Sequence, residues 1–262
     1  MYFVEKYIPM DRKYWDKIAP GYNEEIFDVL YNDKKNIIRS AIEKVASHSS
    51  TVIDIGCAVG KWLPILSPAF KKVLAIDISE RNLEIAQNTY PHLKNIEYQQ
   101  ADMSKEDVQL PKSDVAVCIN AILTDSLKKR GIFFSNLATC LKKKGSLVLV
   151  VPSLESWLCT RIIQNQWQID KKLFAEKIPD ENAAKKYINL LQGNADIDNV
   201  PTKHYLREEL GLLLSREGFV MKKCEKIEYT WHTEFVDPPK WLKEPRPWDW
   251  MVVAKKEKHR EK

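Results

Sequence analysis

The sequence predicts a doubly wound α/β fold: a mostly parallel seven-stranded sheet, helices ahead of it, and a helical cap inserted late in the chain. Between residues 51 and 151, short apolar runs alternate with helix-like segments. The runs Thr51–Ile55, Val73–Asp77, Ile96–Gln100, Asp114–Ile119 and Ser146–Val151 are rich in Val and Ile with little polar alternation, as strands covered on both faces must be. The pattern resumes after residue 207, where a leucine-rich helix precedes two more strand-like runs, Phe219–Thr230 and Trp250–Lys255.

The helices follow from periodicity and caps. Ser79 precedes Leu83, Ala86 and Tyr90, an N-capped amphipathic helix, and Ser126 to Leu141 places Leu127, Phe133, Phe134, Leu137 and Leu141 near one face. Two helices are expected ahead of the sheet, Lys13 to Leu30 with a break at Pro20-Gly21, and Asp33 to Ala46. Gly218 ends the helix that carries Glu208, Leu210, Leu212, Leu213 and Leu214. The four prolines at 238, 239, 245 and 247 require an irregular loop from Glu234 to Pro247.

Residues 154–200 carry Trp157, Ile162, Ile163, Trp167, Phe174, Tyr187, Leu190 and Leu191 at loosely helical spacing. A structureless loop of that length is unusual inside a compact domain, so the segment is expected to be an inserted helical cap. The main domain then comprises residues 1–153 and 201–262.

At 262 residues the chain can bury a sizeable core. No apolar run approaches the roughly 18 residues of a membrane span. The first ten residues carry Glu5 and Lys6 and do not read as a secretory signal, so a cytoplasmic address and no membrane association are expected. The five cysteines form no short paired spacing, which argues for free thiols and against a metal site. Several of the charges behind the net +5 cluster at the C-terminal end, a weak argument for nucleic acid, which is not expected as a partner. The sequence leaves the oligomeric state open.

The chemistry concentrates where strands end. Val52 to Lys61 reads as an apolar strand with Asp54 near its end, then Gly56, Cys57, Ala58 and Gly60 opening a helix. Small residues there let backbone approach a ligand, and a helix N-terminus offers unpaired N–H groups. Asp77 ends the second strand 17 residues after Gly60, close to the ~20-residue offset at which a carboxylate meets ribose hydroxyls in nucleotide-binding α/β folds. Gln100-Ala-Asp-Met-Ser104 follows the third strand, and the fourth ends in Ile119-Asn120-Ala121.

The Asp54-x-Gly56-x-Ala58-x-Gly60 turn resembles the first motif of class I S-adenosylmethionine-dependent methyltransferases, with Ala58 in place of the middle glycine. Its glycine spacing differs from the Gly-x-Gly-x-x-Gly pattern of dinucleotide-binding oxidoreductases. The resemblance implies a Rossmann-like fold and S-adenosyl-L-methionine as cofactor. It assigns Asp77 to the ribose, Ile78 to the adenine face, Asp102 and Met103 to the adenine edge, and Asn120 and Ala121 to the methionine end. Trp15 to Asn23 is similar to the Ala-x-x-Tyr-Asp opening of small-molecule members, which implies that Tyr22, with Trp15, closes over the cofactor. The chain lacks the Asn/Asp-Pro-Pro-aromatic and Pro-Cys sequences of enzymes that methylate adenine and cytosine.

The reaction so implied is in-line displacement at a sulfonium methyl, with a small and preferably apolar or aromatic acceptor, methylated at O or N. An acceptor hydroxyl needs a base, for which His204 and His232 are the candidates; each also reads as a packing or surface histidine. Two rival readings stand beside this one: a nucleotide-dependent oxidoreductase, and a noncatalytic cofactor-binding or interaction protein on the same fold.

Overall fold

The computed structural model describes residues 10–170, 187–197 and 200–257. Phe174, counted above among the aromatics of the insert, lies outside the described residues, as do Glu5 and Lys6. Ahead of the sheet come α1 (Arg12–Ile18), a 3-10 turn at Ala19–Gly21, α2 (Tyr22–Glu25), α3 (Val29–Asn32) and α4 (Ile37–Val45). The two expected helices are thus four short ones. The Pro20-Gly21 break is longer than expected, and α4 starts late because Asp33 caps it from outside, its carboxylate accepting the N–H groups of Ile37 and Ile38 at 2.9 and 2.8 Å.

Five parallel strands follow with their crossover helices: β1 (Thr51–Ile55), α5 (Leu63–Ala69), β2 (Lys72–Asp77), α6 (Glu80–Thr89), β3 (Ile96–Gln100), β4 (Ser113–Ile119), α7 (Leu127–Thr139) and β5 (Leu141–Pro152). The chain continues through α8 (Leu154–Trp167), β6 (Asn194–Ile197), β7 (Val200–Lys203), α9 (Arg207–Arg216), β8 (Phe219–Glu228) and β9 (Trp248–Lys256). The seven-stranded sheet has the order β3-β2-β1-β4-β5-β9-β8, and β9 runs antiparallel to both neighbours.

Alternation along each strand sorts the core into two layers. Val52, Val73, Ala75, Val115, Val117, Val148 and Val150 face α4, α5 and α6, where Ile38, Ile42, Leu63, Leu66, Leu83 and Ala86 meet them. Ile53, Ile76, Ala116, Leu147 and Leu149 face the other way, onto Phe133, Phe134 and Leu137 of α7 and Leu210 and Leu214 of α9. Both faces are therefore dry, which is what made the strands read as continuous apolar runs.

The insert departs from the expected helical cap. Its first part is α8, but its end is a β-hairpin, β6 paired antiparallel with β7. Nor does α8 cover the N-terminal helices: Ile163 and Cys159 pack on Trp231, Phe235 and Leu242 of the late loop. The hairpin stands against the segment after β4, where Lys203 donates its backbone N–H to Leu123 O (2.9 Å) and Tyr205 donates its hydroxyl to Ile122 O (2.9 Å). Of the late aromatics, Trp231, Phe235, Trp248 and Trp250 are buried core, whereas Trp167, Tyr187 and Trp241 are exposed.

Candidate active site

The C-terminal ends of β1, β2, β3 and β4 open on one cleft, the place where open α/β sheets bind ligands. Gly56, Ala58, Asp77, Ile78 and Asp102 line it. Met103, Asn120 and Ala121 do so too, and Trp15 and Tyr22 flank it from the N-terminal helices. Asp54, Cys57 and Gly60, named with them from the sequence, do not reach the lining and lie behind it as buried support.

The turn after β1 is the tightest part. Gly56 sits at φ +73°, and a Cβ built there falls 2.5 Å from Ala121 Cβ, so a side chain would close the gap between the ends of β1 and β4. Ala58 adopts φ +47°, a left-handed conformation that costs a non-glycine residue about 1–2 kcal/mol. Its N–H donates to Asp77 Oδ2 at 2.9 Å, and Asp77 Oδ1 accepts from Ser79 N at 2.8 Å and Asn82 Nδ2 at 3.3 Å. Asp77 therefore holds the turn as well as facing the cleft. Burial pushes its carboxyl up, against the lowering effect of those three donors.

Asp54 is almost completely buried, and its Oδ2 has no hydrogen-bond partner among the described residues. Burial, with Asp77 nearby, pushes its carboxyl up to about 7. At the end of β4, Asn120 has φ +48°, donates Nδ2 to Asp249 Oδ2 at 3.0 Å, and leaves Oδ1 buried without a partner. Buried acceptors without donors are rare in native proteins and ask for a ligand or water.

Two other regions complete the walls. Asp102 Oδ1 accepts from Ser104 N and Ser104 Oγ (3.0 and 2.5 Å), and Asn136 of α7 donates Nδ2 to Met103 O at 3.0 Å, fixing the loop after β3. The N-terminal helices are fastened across the cleft by Ser79 Oγ donating to Asp16 Oδ1 (2.6 Å) and by the Lys61–Asp28 ion pair (2.8 Å). Lys61 Nζ also lies 5.8 Å from the Tyr22 ring, whose hydroxyl is pushed well above its ordinary range by burial and then by Asp77.

The two candidate bases are not brought to the cleft. His204 is buried beside the hairpin with Nδ1 3.0 Å from Thr202 O, and burial lowers it to about 4; His232 is exposed in a 3-10 turn. His204 lies close behind the segment after β4 but is packed into the hairpin side, and His232 lies in the turn after β8, so neither lines the cleft. Asn82, Thr124 and Phe133 line the cleft and were not foreseen. Asn82 had a usable signal, three residues after the N-cap Ser79 on the helix turn next to Asp77.

The model of the methyltransferase domain matches residues 30–223, most of the chain. The chain belongs to this methyltransferase family. Its cofactor is S-adenosyl-L-methionine, and the seven-stranded mixed sheet is that of Rossmann-like methyltransferases. The methyltransferase is similar to an uncharacterised protein of Methanocaldococcus jannaschii, 26% identical over 87% of this chain and 81% of that one. Among solved structures it resembles a methyltransferase of Anabaena variabilis (TM-score 0.63, 15% identity, 98% and 99% of the two chains). It also resembles the N-methyltransferase NodS of Bradyrhizobium japonicum (TM-score 0.60, 12% identity, 94% and 98%).

The cleft suits the cofactor chemically. Carboxylates at Asp77 and Asp102 fit hydroxyl and amine donors, the Gly56 turn leaves room for close backbone approach, and the unpartnered Asn120 Oδ1 fits a protonated amino group. Among the described residues, no helix is long and apolar enough to cross a membrane and no group of three or more His, Cys, Asp or Glu could hold a metal. All five cysteines are free.

Proposed function

We propose that this methyltransferase acts on a small molecule, and that the acceptor is an amine in preference to a hydroxyl. The observation that carries the reading is the make-up of the cleft wall, which has carboxylates at Asp77 and Asp102 but no Lys, Arg or His. A cleft without cations offers nothing to a phosphate backbone, which argues against nucleic acid. Without a histidine at hand, an acceptor that needs no base fits best, and a neutral amine is one. NodS is an N-methyltransferase, in keeping with this reading.

The cofactor supplies a methyl group already activated on a sulfonium. The protein's part is to position and to exclude water. Asp77 accepts the ribose hydroxyls, Asp102 and Met103 hold the adenine edge, and Ile78 packs on its face. Asn120 serves the amino-acid end, and Tyr22 and Trp15 cover it. The cytoplasm is the expected compartment. The hairpin β6–β7, by bracing Leu123 beside the cleft, shapes the acceptor side.

The test is production of S-adenosylhomocysteine with panels of small amines and phenols, preceded by calorimetry with S-adenosylmethionine and NAD. Turnover with an amine supports the proposal. Turnover confined to phenols overturns the acceptor class, binding without turnover on either panel favours a noncatalytic role, and binding of NAD alone overturns the cofactor assignment.

A further inference from the structure

The end of β9 contributes to the cleft although none of its residues lines it. Asp249 is buried where β9 begins, opposite Pro152 of β5 and Ile227 of β8. Its Oδ2 accepts two hydrogen bonds, from Tyr229 Oη at 2.9 Å and from Asn120 Nδ2 at 3.0 Å. Tyr229 is itself buried and held edge-on by Phe27, with ring centroids 4.8 Å apart. The chain from Asn120 to Tyr229 thus links the cleft to the far strands.

An asparagine amide can turn either face to a neighbour, and what lies beside it decides which. An ionised carboxylate has no proton to give, so Asp249 accepts only the Nδ2 face. The amide is then fixed with Oδ1 turned away from Asp249, and that oxygen is buried and has no donor among the described residues. A buried acceptor in the wall of the cleft calls for a donor, and an ammonium has N–H groups to give it.

We infer that Tyr229 and Asp249 are positioning residues that lock the Asn120 amide so that its Oδ1 receives the ammonium at the amino-acid end of the cofactor. This rests on the proposed placement of the cofactor in the cleft. Burial raises Asp249 only to about 6, so it is ionised, and the lock engaged, at neutral pH.

Calorimetry with two ligands separates this pair from general damage to the cleft. S-adenosylhomocysteine carries the amino-acid end, whereas 5′-methylthioadenosine carries the same nucleoside without it. Asp249→Leu is expected to weaken S-adenosylhomocysteine about tenfold, the scale of one hydrogen bond to a charged group, and to leave methylthioadenosine within about twofold. Asp249→Asn, whose amide can also donate and so no longer dictates which face Asn120 presents, is expected to weaken S-adenosylhomocysteine in part and to leave methylthioadenosine unchanged. Tyr229→Phe removes a single hydroxyl and is expected to weaken S-adenosylhomocysteine alone, about threefold, which keeps the test alive if Asp249→Leu does not fold. Unchanged S-adenosylhomocysteine affinity in these variants overturns the inference, as does an equal loss of both ligands. If the wild-type protein binds neither ligand, the placement of the cofactor fails and the inference with it.

Discussion

Asp77 accepts the backbone N–H of Ala58 at 2.9 Å, so the carboxylate assigned to the ribose also ties the end of β2 to the turn after β1. Removing it takes away a ligand contact and slackens the turn together. Asp77→Ala is expected to weaken cofactor binding by on the order of 1.5–3 kcal/mol. Calorimetry on the folded variant checks this, and wild-type affinity would remove Asp77 from the site.

Gly56 admits no side chain. At φ +73°, with Ala121 Cβ 2.5 Å from a built Cβ, Gly56→Val is strained in its backbone and collides across the β1–β4 gap. Loss of cofactor binding with a lowered unfolding midpoint is the expected result. A variant that folds and binds normally means the first motif has been misplaced.

Ala58 carries the opposite expectation. Left-handed backbone costs it about 1–2 kcal/mol, whereas glycine costs about 0.4–1 kcal/mol through the freer unfolded chain. The first effect is the larger, so Ala58→Gly is expected to stabilise the protein by about 0.5–1 kcal/mol in denaturant titrations. A destabilised variant would mean that the turn is not strained at this position.

Asp54 makes stability depend on pH. Its folded pKa, about 7, lies above the ordinary 3.8, so the folded state holds the proton more tightly. Its contribution is fully present below about pH 4 and is lost as pH rises through 7. Asp54→Asn removes that loss: the ligand-free variant is expected to exceed the wild type at pH 8 by on the order of 2–4 kcal/mol, the gap closing towards pH 4. Thermal melts across this range test it, and a gap that does not vary with pH counts against the buried, unpartnered carboxyl.

Strands β1 to β4 were legible to within about a residue: β1, β2 and β4 because both faces are buried and their apolar runs have sharp ends, and β3, a half-buried edge strand, by its place in the alternation. The start of β5 was not: Lys142, Lys143 and Lys144 are exposed and polar, and only pairing across a register shift at Ser113 makes them strand. Nor was the hairpin, since Asn194–Ile197 and Val200–Lys203 are short, half polar and include a proline, leaving little alternation to read. In the site, the strand-end motifs placed Gly56, Ala58, Asp77, Asp102 and Asn120 at one cleft. The Asn120–Asp249 pair, 129 residues apart in sequence, exists only through sheet order and has no local signature. His204 and His232 were named for their chemistry alone, and the fold sends both elsewhere.

The placement of β9 between β5 and β8 has a consequence for how the protein is made. Synthesis delivers the four cleft-forming strands and β5 first, while the strand that pairs with β5 emerges last among the described elements. Until then β5 is an edge with Val148, Leu149 and Val150 ready to pair with another chain. A nascent or truncated polypeptide ending before Trp248 therefore carries an adhesive border, and the completed molecule closes it with the same segment that brings Asp249 to Asn120.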